Sequence, residues 1–126
     1  MFGAVWVQGS SMAPAIRDGD VLLARAAPPS RGALRRGAIV TWAPARLGGR
    51  VLLKRIVRLP GERVRCRGEG GSVTHEQVLG SEEYFLLGDD GRDSLDSRRL
   101  GPARRSDVRA VVWRRLWPPI RLFSTF

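Results

Sequence analysis

The chain has 126 residues, 43% of them apolar, and a formal net charge of +10. That is one domain's worth, 1–126, with enough apolar material for a core of its own. The single cysteine, Cys66, excludes an intramolecular disulfide, and no apolar run reaches the roughly 18 residues of a membrane-spanning helix.

The apolar start, Met1–Val7, is too short and lacks the basic leader of a signal peptide, so it reads as a strand or as the remnant of a membrane anchor. Val5–Gln8 is expected to be a short strand running into a turn at Gly9–Ser10–Ser11. Val21–Arg25 follows the turn signal Asp18–Gly19–Asp20, and Ala38–Trp42 is a third strand ended by Pro44. Val51–Leu59, stopped by Pro60–Gly61, is the clearest strand. Arg63–Arg67 is expected to pair with Ser72–Val78 across Gly68–Gly71. Tyr84–Leu87 is another strand, a polar loop runs from Gly88 to about Pro102, and Asp107–Trp117 is the last strand before Pro118–Pro119. Fifteen Gly and eight Pro among these short segments predict a mainly β domain, a compact antiparallel sheet or barrel-like core with little helix.

Of the 22 basic residues 21 are Arg, and the one Lys is Lys54. Arginine does not give up its proton in proteins, whereas a desolvated lysine can serve as a base. Strand alternation puts Lys54 on one face with Leu52 and Ile56, an apolar setting that disfavours an ammonium. The strand pattern alone does not choose between such a base and a surface lysine lying along its apolar neighbours. Ser11 sits in Gly9-Ser10-Ser11-Met12-Ala13-Pro14, where Gly9 allows a tight turn and Pro14 stiffens the chain after it. A rigid turn presents a hydroxyl and leaves backbone N–H groups for an oxyanion, but taken alone the segment is a plain Gly/Ser turn.

The loop Gly88-Asp89-Asp90-Gly91-Arg92-Asp93-Ser94-Leu95-Asp96-Ser97-Arg98 is dense in Asp, Ser and Arg. Its acidic spacing does not match an EF-hand. His75 and Cys66 lack zinc-ligand spacing, so no metal or cofactor is expected. The arginines are spread along the chain rather than clustered, and no specific nucleic-acid partner is expected.

Together these segments resemble the type I signal peptidase family, which includes the mitochondrial inner membrane proteases and the maturation proteases of nickel superoxide dismutase. Gly9–Pro14 resembles the nucleophile box. Arg36-Gly37-Ala38-Ile39-Val40 resembles the following strand box, Lys54-Arg55-Ile56-Val57-Arg58-Leu59-Pro60-Gly61-Glu62 the general-base box, and Gly88-Asp89-Asp90 through Ser94–Arg98 and Gly101 the final box. The resemblance runs from about Val7 to Pro119. It implies a serine endopeptidase of mainly β fold, with Ser11 as nucleophile and Lys54 as general base. It further implies that Ser94 orients the lysine, that Asp96 and Arg98 form a bracing ion pair, and that Gly88 and Asp89 shape the loop. Ser10 and Met12 complete the nucleophile turn.

The implied substrate is a preprotein or propeptide with small residues before the cut, bound as an extended strand. Gly9 stands where some bacterial members carry a serine, Ala38 where Asp is usual and Asp90 where Asn is usual. The tail 113–126 mixes Trp and Arg in a composition suited to a membrane interface, which points to the membrane periphery, with the cytoplasm as the alternative for a chain lacking a transmembrane helix. Competing readings are a self-cleaving Ser-Lys regulator, which usually follows a DNA-binding helix-turn-helix not found before Ser11, and a basic β-barrel that binds nucleic acid without catalysis.

Overall fold

The computed structural model describes residues 2–26, 31–67, 74–91 and 95–118. Nine strands are described: β1 (Phe2–Trp6), β2 (Val21–Ala26), β3 (Ile39–Trp42), β4 (Leu52–Arg58), β5 (Arg63–Arg67), β6 (Thr74–Val78), β7 (Glu83–Leu87), β8 (Ala103–Arg104) and β9 (Val108–Trp117). One helical turn, α1 (Ser97–Leu100), and three 3-10 turns complete the described elements. Every strand pairing among the described residues is antiparallel. The main sheet has the order β1-β2-β9-β3-β4-β7-β8, and β5-β6 form a separate hairpin.

The expected mainly β fold is what forms, a curled antiparallel half-barrel with little helix. Seven of the expected strands appear within two residues of their predicted bounds, and β5 pairs with β6 as anticipated, Cys66 opposite His75. The first strand differs. It runs from Phe2 to Trp6, not Val5 to Gln8, because the ladder with β2 closes at Trp6 opposite Val21. Beyond it Val7 is held by Asp20 and Gly19 main-chain bonds of 2.8 and 2.9 Å. The Gly68–Gly71 turn lies outside the described residues.

The sheet curls because its ladders are interrupted. Register shifts occur twice between β2 and β9, once between β3 and β9 and once between β4 and β7, and each such irregularity bends the strand and increases its twist. Three strands separate β1 from β4 in the sheet order, yet the curl brings the segment after β1 back over β4. The largest apolar cluster contains Val40, Trp42, Leu52, Ile56, Leu86 and Val108. A second holds Val7, Met12, Ile16 and Leu22, and a third sits under the β5-β6 hairpin around Val64, Leu79 and Phe85. Each such buried side chain contributes about 1.5–3 kcal/mol relative to exposure.

Candidate active site

The serine lies on a turn anchored at both ends. Gly9 has φ 96°, the left-handed region that favours glycine, and its N–H donates to Asp18 Oδ1 at 2.8 Å. Ala13 N–H donates to Ser10 O at 3.0 Å and Ile16 N–H to Met12 O at 2.9 Å, so the chain coils for one turn after the serine. Met12 and Ile16 are buried with Val7 and Leu22. The apolar side chains pin the turn to the core, and Ser11 between them stays half-buried. Asp20, itself buried, closes the base of the turn by accepting from Arg17 N–H at 2.9 Å and facing Arg115 at 3.6 Å.

Lys54 comes from the middle of β4. Leu52, Lys54 and Ile56 are buried while Leu53, Arg55 and Val57 are only partly so, which is the alternation the sequence predicts. Lys54 is 1% exposed, an uncommon degree of burial for a lysine. The third participant is Gly88, at the end of β7. A Cβ placed on Gly88 would lie 2.8 Å from the Ser11 carbonyl oxygen, 3.4 Å from Lys54 Nζ and 3.5 Å from Ser11 Cβ. The serine and the lysine amine therefore both lie against Gly88, whose backbone approaches each of them because it carries no side chain. Two residues on, the Asp90 N–H donates to Ser11 O at 2.8 Å and fixes the turn from the other side.

Ser11 and Lys54 line a cleft of about 790 Å³ between two segments. One wall is the end of β1 and the turn, Val5 to Ser11. The other is the approach to β4, Arg50 to Lys54. Thr41, Asp90 and Leu95 complete the lining. Both walls run toward the serine and the lysine, which sit at the inner end.

A set of ion pairs holds the elements around this point. Arg55, next to Lys54 but facing the other way, grips Asp89 with Nε to Oδ1 and Nη2 to Oδ2, both at 2.8 Å, while its Nη1 donates to Gly37 O at 2.8 Å. The hydrogen bond to Asp89, reinforced by its charge, holds the Arg55 guanidinium above its ordinary pKa in spite of partial burial. Arg36 donates to Val57 O at 2.9 Å and to the Glu62 carboxylate. Glu62 in turn accepts from Leu59 N–H at 2.6 Å. The Arg36 hydrogen bond, then that of Leu59, hold the Glu62 carboxyl below the usual carboxylate range. Asp96 is fully buried, caps α1 by accepting from Arg98 N–H at 2.9 Å, and pairs with the Arg98 guanidinium at 2.8 Å.

The sequence matches the family described as "Signal peptidase, peptidase S26" over residues 1–78 and 69–117. The chain belongs to that family. Signal peptidase I U of Bacillus subtilis is 26% identical, covering 81% of this chain and 68% of its own. Mitochondrial inner membrane protease subunit 1 of mouse is 26% identical over 98% of this chain and 72% of its own. The mitochondrial ATP-independent inner membrane protease subunit 1a of Arabidopsis thaliana is 30% identical over 90% of this chain and 69% of its own.

In this signal peptidase relative, residues drawn from all four motifs converge. Ser11 of the first and Lys54 of the third both approach Gly88 of the fourth, and Gly37 of the second is tied to the third and fourth through Arg55 and Asp89. Asp96 and Arg98 make the anticipated ion pair. Ser94, with Arg92 and Asp93, lies outside the described residues. Arg55 was read only as part of its motif, although it is the side chain that joins β4 to the loop after β7. Ser97 was not singled out either. It is buried, and its Oγ accepts from Leu86 N–H at 3.0 Å, which fastens α1 to β7. An Asp at the head of a short polar helix is a capping signal that could have exposed this turn. Among the described residues no helix is long and apolar enough to cross a membrane, and no cluster of His, Cys, Asp or Glu is placed to hold a metal.

Proposed function

We propose that the chain is a serine endopeptidase that works through Ser11 and Lys54 and removes signal peptides or N-terminal propeptides from preproteins. The observation that carries this reading is the convergence of Ser11 and the only lysine of the chain on Gly88, at the inner end of an open cleft. In the proposed reaction Ser11 Oγ attacks the scissile carbonyl while its proton passes to the Lys54 amine, which must enter the step uncharged. The Ser11 N–H serves the developing oxyanion, since Gly9 offers no side-chain donor. The tetrahedral intermediate collapses to an ester on Ser11, and the leaving amine takes the proton from Lys54. Water, deprotonated by the same amine, then hydrolyses the ester and restores both groups. The substrate lies extended in the cleft, beside the free edge of β1.

Membrane contact belongs to the same proposal. Phe2, Trp6, Trp113 and Trp117 are exposed on β1 and β9, with Phe2 and Trp113 rings 5.6 Å apart and Arg114 over Trp113. Aromatic rings interleaved with arginine suit the interface of an anionic bilayer. Trp6 also lines the cleft, so a membrane on this face would sit beside the cleft mouth. Residues 119–126 of the proposed interfacial tail lie outside the described residues.

A fluorogenic peptide with an Ala-x-Ala site before the cut tests the chemistry. Ser11→Ala and Lys54→Met are each expected to lower kcat/KM by at least about a thousandfold, and the double variant to be no worse than either, as for residues acting as one unit. Lys54→Arg keeps the charge but not the base. Near-normal turnover in either lysine variant would sink the mechanism, and melting curves show whether each variant is folded. Flotation with phosphatidylserine vesicles tests the membrane face, with Trp6→Ser/Trp113→Ser expected to stay at the bottom of the gradient.

A further inference from the structure

We infer that Arg50 selects substrates carrying an acidic residue about four positions from the bond that is cut. The inference rests on the peptidase reading above and adds a determinant of substrate choice to it. The cleft lining is mixed, with Val5, Val7, Leu52 and Leu53 supplying apolar surface and Gln8, Ser10 and Thr41 uncharged polar surface. Apart from Lys54 at the inner end, the charged residues among the described ones that line the cleft are Arg50 and Asp90. Asp90 is fixed beside the catalytic pair by its bond to Ser11 O. Arg50 lies at the opposite end, where the chain enters β4. Its main chain is held by a bond from its N–H to Leu47 O at 3.2 Å, and its side chain is exposed. Among the described residues the guanidinium has no hydrogen-bond or ion-pair partner, unlike those of Arg36, Arg55, Arg98 and Arg105.

The spacing sets the register. Arg50 precedes Lys54 by four residues, and an extended chain rises by about 3.3 Å per residue, so the two stand roughly 13 Å apart along the wall. A substrate lying extended in the same cleft advances at the same rate. The residue level with Arg50 is then about the fourth from the carbonyl that Ser11 attacks. A carboxylate there meets a cation with no competing partner, and a lysine or arginine meets repulsion. The pair is open to water, so the preference has the size of an exposed ion pair, about two- to fivefold in kcat/KM, and it shrinks as salt is raised.

The test is a scan. In a set of Ala-x-Ala peptides, Asp, Asn or Lys is moved through each position from six before to six after the cut, and kcat/KM is measured at low and high salt. The expected result is one position, three to five residues from the cut, at which Asp exceeds Asn and Asn exceeds Lys. At that position Arg50→Glu is expected to reverse the order and Arg50→Gln to flatten it, with melting temperatures unchanged. A flat charge profile in peptides that are cleaved overturns the role of Arg50 and leaves the peptidase reading standing. A preference that survives in Arg50→Glu assigns the selection to another group and equally overturns it. If the wild type cleaves none of the peptides, the peptidase reading falls and takes this inference with it.

Discussion

Gly88 packs so closely on Ser11 that a single added carbon would come within 2.8 Å of the serine's carbonyl oxygen. The atom in the way is backbone, which cannot swing aside as a side-chain end can. Gly88 is not in the left-handed region, so backbone conformation adds no penalty and the cost of a side chain is steric. Gly88→Ala is expected to push the nucleophile turn off the lysine. A displacement of about 1 Å costs on the order of a hundredfold in rate, while relieving the overlap costs about 1–3 kcal/mol in stability. Steady-state kinetics beside urea unfolding separate the two, and an alanine variant of unaltered kcat/KM would show that the contact does not position the serine.

Arg55 makes three hydrogen bonds to groups on two other segments, and its fork fits the Asp89 carboxylate with both arms. Lysine cannot reproduce that geometry. Arg55→Lys is expected to cost about 1 kcal/mol of stability. It is also expected to lower kcat more than it raises KM, because Asp89 stands between Gly88 and Asp90, both of which touch the Ser11 main chain. A raised KM with kcat unchanged would mean that Arg55 acts only on substrate binding.

Asp96 is a buried carboxylate that satisfies the first turn of α1 and meets the half-exposed Arg98. Asp96→Ala removes the cap and is expected to cost about 1–2 kcal/mol. Asp96→Asn keeps an acceptor for the Arg98 N–H and should lose less, since the outward side of the ion pair is screened by water. Chemical denaturation of the two variants gives the order directly.

Glu62 supplies the pH dependence. Its carboxyl is held below the ordinary value of 4.5, first by the Arg36 hydrogen bond and then by that of Leu59. A carboxylate whose folded pKa lies below its unfolded one contributes stability that is complete above the unfolded value and fades as pH falls through the folded one. Melting temperature is therefore expected to drop as the pH is taken below about 4.5, and Glu62→Gln is expected to flatten that part of the curve. An unchanged acid limb in Glu62→Gln would show that other carboxylates govern it.

How much of this was legible in the sequence follows from the range of each interaction. The alternation that puts Lys54 on one face with Leu52 and Ile56 is a property of neighbouring residues and could be read, whereas its near-complete burial depends on the segments packed over it and could not. The strands with clear stop signals, such as β4 before Pro60–Gly61, were also readable. The start of β1 was not, because its limits are set by its ladder with β2 and not by its own apolar pattern. Two residues of β8 carry no periodicity at all. The Arg55–Asp89 fork joins positions 34 apart and exists only because β4 and β7 are neighbours. The role of Gly88 was similarly hidden. A glycine next to an aspartate reads as a turn, and only the fold shows that the missing side chain is space taken up by another segment.

The solitary lysine also makes the protein a reporter on itself. Every other cationic side chain of this sequence at neutral pH is a guanidinium, which amine-directed reagents leave alone, so acetic anhydride or a succinimidyl ester has one ε-amino target beside the α-amine, and that target is shut away at the base of the cleft. The rate at which a single acetyl mass is added to the peptide containing residue 54 thus measures how often the buried amine becomes accessible, and an occupant of the cleft should slow that addition without any assay of turnover.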